Sequence, residues 1–148
     1  MNNLFSKRMS LYICVLLSAT HAAAGPAENP YKFSPCPDSP NCVSSQSRDK
    51  GHFIEPLQYG GSLNDARQKL IDILENKKRV RLVKVETVFI HAEFRSLVLQ
   101  FVDDVEFYFP PDQAIIHVKS ASRKGYYDFG ANRRRVERLR AAFEKLAK

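Results

Sequence analysis

Between residues 79 and 118, apolar and polar side chains alternate in four successive blocks. No other feature constrains the fold of this chain as tightly. Val80 and Leu82 alternate with Arg79 and Arg81, and the phase then slips to Val83 and Val85, the pattern of a β-bulge. Val88, Ile90, Ala92 and Phe94 share one face of the second block. Val105, Phe107 and Phe109 share one face of the third, opposite Asp104, Glu106 and Tyr108. Pro110-Pro111-Asp112 turns the chain into the fourth, where Ala114, Ile116 and Val118 fall together. A sheet with one apolar face needs a second layer, and two helical patterns flank the strands. Ser62 with Asp65 three residues on opens the first helix. Ala66, Leu70, Ile73 and Leu74 form its stripe, and Asn76-Lys77-Lys78 ends it. The last helix starts after Asn132, read as its N-cap, with Val136, Leu139, Phe143 and Leu146 on one face. The expected fold is an α+β domain over residues 34–148: a four-stranded antiparallel meander with both helices packed on one face.

The N-terminus reads as a secretory signal peptide, residues 1–24. Lys7 and Arg8 precede an apolar run from Met9 to Ala19, and Ala22 and Ala24 occupy the −3 and −1 positions of a cut before Gly25. The run is too short for a membrane span, which needs about 20 residues. Cys14 does not suggest a lipoprotein, because bulky Ile13 precedes it and apolar residues follow. Cleavage removes Lys7 and Arg8 and so lowers the formal net charge of +7 by two. The remaining basic excess favours anionic envelope surfaces; export makes nucleic acid an unexpected partner. The expected location is periplasmic or secreted, and an integral membrane protein is not expected.

Residues 25–33 read as a mobile lead, and Ser34 to Arg48 as a Pro- and Ser-rich loop. Cys36 and Cys42 are the two cysteines left after cleavage. In an oxidising compartment such close thiols pair, so a disulfide is expected to pin the loop. Their spacing is not the C-x-x-C of thiol oxidoreductases. His52 to Leu57 reads as a short extended edge piece.

The segment Ser120 to Arg135, SASRKGYYDFGANRRR, follows neither strand nor helix periodicity throughout. It holds the candidate polar or anion-binding site: Ser120, Ser122, Arg123, Asp128, Asn132, Arg133 and Arg135, with Asp104 and Glu106 from the acidic strand. Arg133, Arg134 and Arg135 fall in the first turn of a helix, where positive charge opposes the helix dipole. Asp128, Asp103, Asp104, Glu106 or a bound anion must offset them, and internal pairing with Asp104, Glu106 or Asp128 is the favoured reading. Gly125 and Gly130 suit turns with positive φ. Ser120, Ser122, His117 and Asp103 do not make a hydrolase triad: there is no G-x-S-x-G elbow, and His117 and Ser120 fall on opposite strand faces. His52, His91 and His117 lack zinc-ligand spacing. No metal or cofactor is expected.

Three segments, CPDSPNCVSSQ at 36–46, FVDDVEFYF at 101–109 and SASRKGYYDFGANRRR at 120–135, resemble bacterial and plastid proteins of the domain of unknown function 1499 family. The resemblance runs from Cys36 to about Leu146 and implies a compact domain without an assigned activity. The functional expectation is an exported binding or structural module of the cell envelope. Its ligand would be anionic: a lipid headgroup, a glycan or a carboxylate. The enzyme alternative is a hydrolase acting on an envelope substrate through the acidic cluster at 103–106 and Arg123.

Overall fold

The computed structural model describes residues 32–145; the signal peptide, most of the lead and Leu146 lie outside the described residues. The elements are β1 (Cys42–Ser44), β2 (Leu57–Gln58), α1 (Leu63–Glu75), β3 (Val80–Val85), β4 (Phe89–Arg95), β5 (Val102–Tyr108), β6 (Ile115–Ser122) and α2 (Ala131–Lys145).

The alternation becomes an antiparallel sheet in the order β1-β6-β5-β4-β3, with β2 also paired to β6. Ile90 stands opposite Phe107, and Phe107 opposite Val118. This register gathers Ile90, Ala92, Val105, Phe107, Ile116 and Val118 on one fully buried face. Leu70 and Leu74 of α1 and Val136, Leu139 and Phe143 of α2 cover that face and join the same core. Burying each of the larger side chains contributes about 1.5–3 kcal/mol. Ser62 caps α1 by accepting the Asp65 N–H, 3.1 Å away. The register shift between Leu82 and Lys84 puts a bulge at Val83, where the pattern slips.

The sheet has six strands, which corrects the expected four. Cys42–Ser44 pairs with Lys119–Ala121, and Leu57–Gln58 with Ile115–Ile116. Strands of two or three residues are too short to show a period of two, so residues 42–44 read as loop. What makes them strands is the far edge of β6, whose backbone groups need partners. The α+β class and the two helices on the core face stand. Phe33, assigned by sequence to the lead, is buried and donates its N–H to Gln46 Oε1. The disulfide joins Cys36 and Cys42 and closes the loop against β1.

Candidate functional site

The residues singled out by sequence divide between the two faces of the sheet. Adjacent strand residues point to opposite faces. Asp103, Ser120 and Ser122 therefore face the helices, whereas Asp104, Glu106 and Lys119 face away.

On the helix face, Asn132 is the hub. It is 1% exposed. Its Oδ1 accepts from Ser120 Oγ (2.6 Å) and Arg135 Nη1 (2.5 Å). Its Nδ2 donates to Asn41 O, Ser122 Oγ and Asp128 Oδ2. Arg135 also donates to Asp103 Oδ2 and stacks over the Phe94 ring. Asn132 is not the N-cap of α2, because the helix begins one residue earlier. Asp128 takes the capping part, accepting the N–H groups of Gly130 and Asn132 at 2.8 Å each. Burial pushes the Asp128 carboxyl up, but those N–H groups and the Asn132 amide outweigh it and hold the carboxyl below its ordinary 3.8. Gly125 and Gly130 adopt φ of 88° and 74°, the left-handed turns that glycine permits.

The three arginines of the first helical turn part company. Arg135 turns inward to Asp103, Arg133 donates to Gly51 O, and Arg134 donates to Phe129 O. Asp103 is one of the acids expected to offset this turn, whereas none of the three pairs with Asp104, Glu106 or Asp128, the favoured partners. Asp103 and the Asp128 cap offset the charge instead.

On the opposite face an ion-pair ladder joins three strands, β3, β4 and β5, to the residue that follows β6. Arg81 of β3 donates to Glu93 of β4 at 2.8 Å. Arg123, just beyond β6, donates to Glu93 at 2.5 Å and grips both oxygens of Asp104 at 2.7 Å. His91 Nε2 lies 2.7 Å from Asp104 Oδ1. Hydrogen bonds from Arg81 and then Arg123 hold the Glu93 carboxyl below its ordinary value, and Arg123 does the same for Asp104 against some burial. The Glu93 side chain is only 6% accessible, and the upward push of burial is outweighed by the two arginine hydrogen bonds. Glu106 stands apart, 3.8 Å from Lys119 Nζ. The ladder lies in line with the polar side of the alternation, where Glu93 is the cross-strand neighbour of Asp104.

A third arrangement was not anticipated. Ser45, buried in the loop after β1, lies 3.0 Å from His117 Nδ1 and accepts the Val118 N–H. Burial alone pushes the His117 imidazole below its ordinary 6.5. Nothing periodic marks Ser45 in the sequence.

The unsatisfied charge lies elsewhere. A cleft of about 400 Å³ opens between the end of α1, the start of β3, the end of β4 and one side of α2. Its lining includes Lys77, Lys78, Arg79, Arg95 and Arg138, and no Asp or Glu. None of these five cations meets a carboxylate among the described residues. Arg135 also lines the cleft, but its charge is spent on Asp103. Lys77, Lys78 and Arg79 lie in the turn between α1 and β3, Arg95 ends β4 and Arg138 lies within α2, so no single sequence pattern joins them.

No group of three or more His, Cys, Asp or Glu among the described residues is placed to hold a metal ion. No described helix is long and apolar enough to cross a membrane. No curated protein matches the chain. A family match does cover residues 32–143, and it takes in β1 through most of α2. The chain belongs to the family described as protein of unknown function, DUF1499.

Proposed function

We propose that this chain is an exported binding domain of the cell envelope, periplasmic or secreted, whose ligand is anionic. The observation that carries this reading is the cleft bearing Lys77, Lys78, Arg79, Arg95 and Arg138 without an acid. Like charges gathered around one hollow repel one another, and an anion relieves that repulsion. The site proposed from sequence at Arg123, Arg133 and Arg135 gives way to this cleft, because Arg123 and Arg135 are neutralised by Glu93, Asp104 and Asp103. Export rests on Lys7, Arg8, the Met9–Ala19 run and the Ala22 and Ala24 pair. The Cys36–Cys42 disulfide fits an oxidising compartment.

The hydrolase alternative requires a carboxylate with a raised pKa near Arg123. Asp104 and Glu93 are instead held low by arginine contacts, the state of ion-pair partners. No observation favours that second reading.

Titration with a soluble polyanion such as heparin tests the proposal. Wild-type binding is expected to weaken steeply with added salt, because exposed charges are screened beyond about 8 Å at physiological ionic strength. Lys78→Glu with Arg95→Glu and Arg138→Glu is expected to lower affinity at least about tenfold. Equal binding by variant and wild type would remove the cleft as the site.

A further inference from the structure

One end of the sheet carries an unusual surface. The β4–β5 hairpin tip, the β6–α2 connection and the turn between α1 and β3 all emerge there. The register fixes this: Arg95 pairs with Val102, Val80 with Phe94, and the Arg123 N–H donates to Val102 O. Nine large apolar side chains are exposed among the described residues. Seven of them stand on two of these loops: Leu97, Val98, Leu99 and Phe101 on the tip, and Tyr126, Tyr127 and Phe129 on the connection. Val98 is 82% exposed and Phe129 is 77%. Single exposed apolar residues are ordinary, whereas such a cluster marks an interaction surface. Phe129 holds φ at 54°, a costly angle for a bulky residue, with its ring exposed and edge-on to Tyr127.

We infer that this loop end is a membrane-docking surface, whose apolar tips enter the interface of an anionic phospholipid bilayer while the cleft cations bind the headgroups. The inference rests on the anionic-ligand reading above and names the ligand's source. Three observations converge on it. The charge is complementary: the tip adjoins the acid-free cleft, and Leu97 is itself part of the cleft lining beside Arg95, Lys77 and Lys78. An occupant that is anionic where it meets the cations and apolar where it meets the tips is a bilayer surface. The residue types suit the task, because tyrosine rings sit at the level of the headgroups and leucine and phenylalanine below it. The base of the tip is also closed by internal hydrogen bonds. Ser96 N–H donates to Phe101 O, Phe101 N–H to Ser96 Oγ, and the Gln100 amide to Leu97 O. Backbone groups already paired within the tip do not have to be stripped of water on insertion.

The chain contains no tryptophan, so Leu99→Trp supplies a single reporter at the tip. With vesicles of phosphatidylglycerol in phosphatidylcholine, its emission is expected to shift to the blue and to be quenched by brominated acyl chains. Val98→Ser with Leu99→Ser is expected to lower partitioning onto those vesicles at least about tenfold, through lost apolar insertion. The same variant is expected to keep wild-type heparin binding, which shows that it is folded and that the cleft is intact. Undiminished vesicle binding by the serine variant would overturn tip insertion and leave the basic cleft standing. Salt-sensitive binding of wild type to heparin but not to the vesicles would overturn the membrane as the ligand's source. Binding of wild type to neither would remove both this inference and the reading beneath it.

Discussion

Asp103 and Asp104 are neighbours in β5 yet anchor opposite layers of the protein. Asp103 accepts from Arg135 on the helix face, and Asp104 accepts from Arg123 on the other. One sequence cluster thus becomes two networks separated by the thickness of the sheet.

That division orders three arginine substitutions. Arg135→Ala removes the partner of a largely buried carboxylate and two hydrogen bonds to Ser120 and Asn132. The expected loss is about 2–4 kcal/mol. Arg123→Ala leaves Glu93 with Arg81 and Asp104 with His91, and Arg123 itself is half-exposed, so its loss is expected to be smaller. Arg133→Ala breaks one contact to a loop carbonyl and is expected to stay within about 0.5 kcal/mol of wild type. Denaturant melts of the three variants check the order. Equal losses for Arg135→Ala and Arg133→Ala would contradict it.

Asn132 supplies both a donor and an acceptor inside the helix-face network. Asn132→Ala strands Ser122, Asn41 O and part of Asp128 together with Ser120. Losing several buried partners at once is expected to cost about 2–4 kcal/mol. It should also loosen the first turn of α2. Hydrogen exchange at the amides of residues 131–135 provides the local readout, and unchanged protection there would mean that the hub does not secure the helix.

The elements legible in the sequence were those long enough to repeat. α1 has a capping serine and four stripe residues, and β3 to β6 each span at least six residues. The bulge was legible because a phase slip shows within the same pattern. β1 and β2 were not, because two or three residues carry no period and their pairing comes from the β6 edge. The α2 start was misplaced by the same local logic. Asn132 is a good cap type, but Asp128 reaches past two residues of positive φ, Phe129 and Gly130, to do that work. Of the candidate arginines, Arg123 and Arg135 meet acids, whereas Arg133 meets the Gly51 carbonyl. Which partner each one meets depends on strand facing and on the path of residues 123–130, and no side-chain pattern encodes that path.

The disulfide closes a small ring, so its effect on the unfolded chain is modest. The chain-entropy relation gives about 2.4 kcal/mol for a ring of this length. Reduction of the folded protein is expected to lower stability by about that much, and thiol counting without reductant should find no free thiol at Cys36 or Cys42. Cys42→Ser is expected to cost more than Cys36→Ser, because Cys42 is buried in β1 and a hydroxyl there is desolvated. Equal losses would place the whole effect in the unfolded state.

Stability should fall in two steps as pH is lowered, and the first belongs to His117. Its imidazole is held below the ordinary 6.5 by burial against Ser45 and the loop after β1. At a pH above 6.5 both folded and unfolded chains carry it neutral, so it adds no slope. Below 6.5 the unfolded chain takes up the proton first, and stability declines as pH falls through the folded value. His117→Gln is expected to flatten this step and leave the rest of the profile unchanged. The second step lies lower, because Glu93, Asp104 and Asp128 are depressed from their ordinary 4.5 and 3.8. Their stabilising contacts are fully present above those values and disappear as acid protonates them, so Glu93→Gln should blunt the lower step alone. Urea midpoints measured across the acidic range for wild type, His117→Gln and Glu93→Gln separate the two. A wild-type profile flat from neutral pH down to the carboxylate range would show that His117 titrates freely and is not held neutral by the loop.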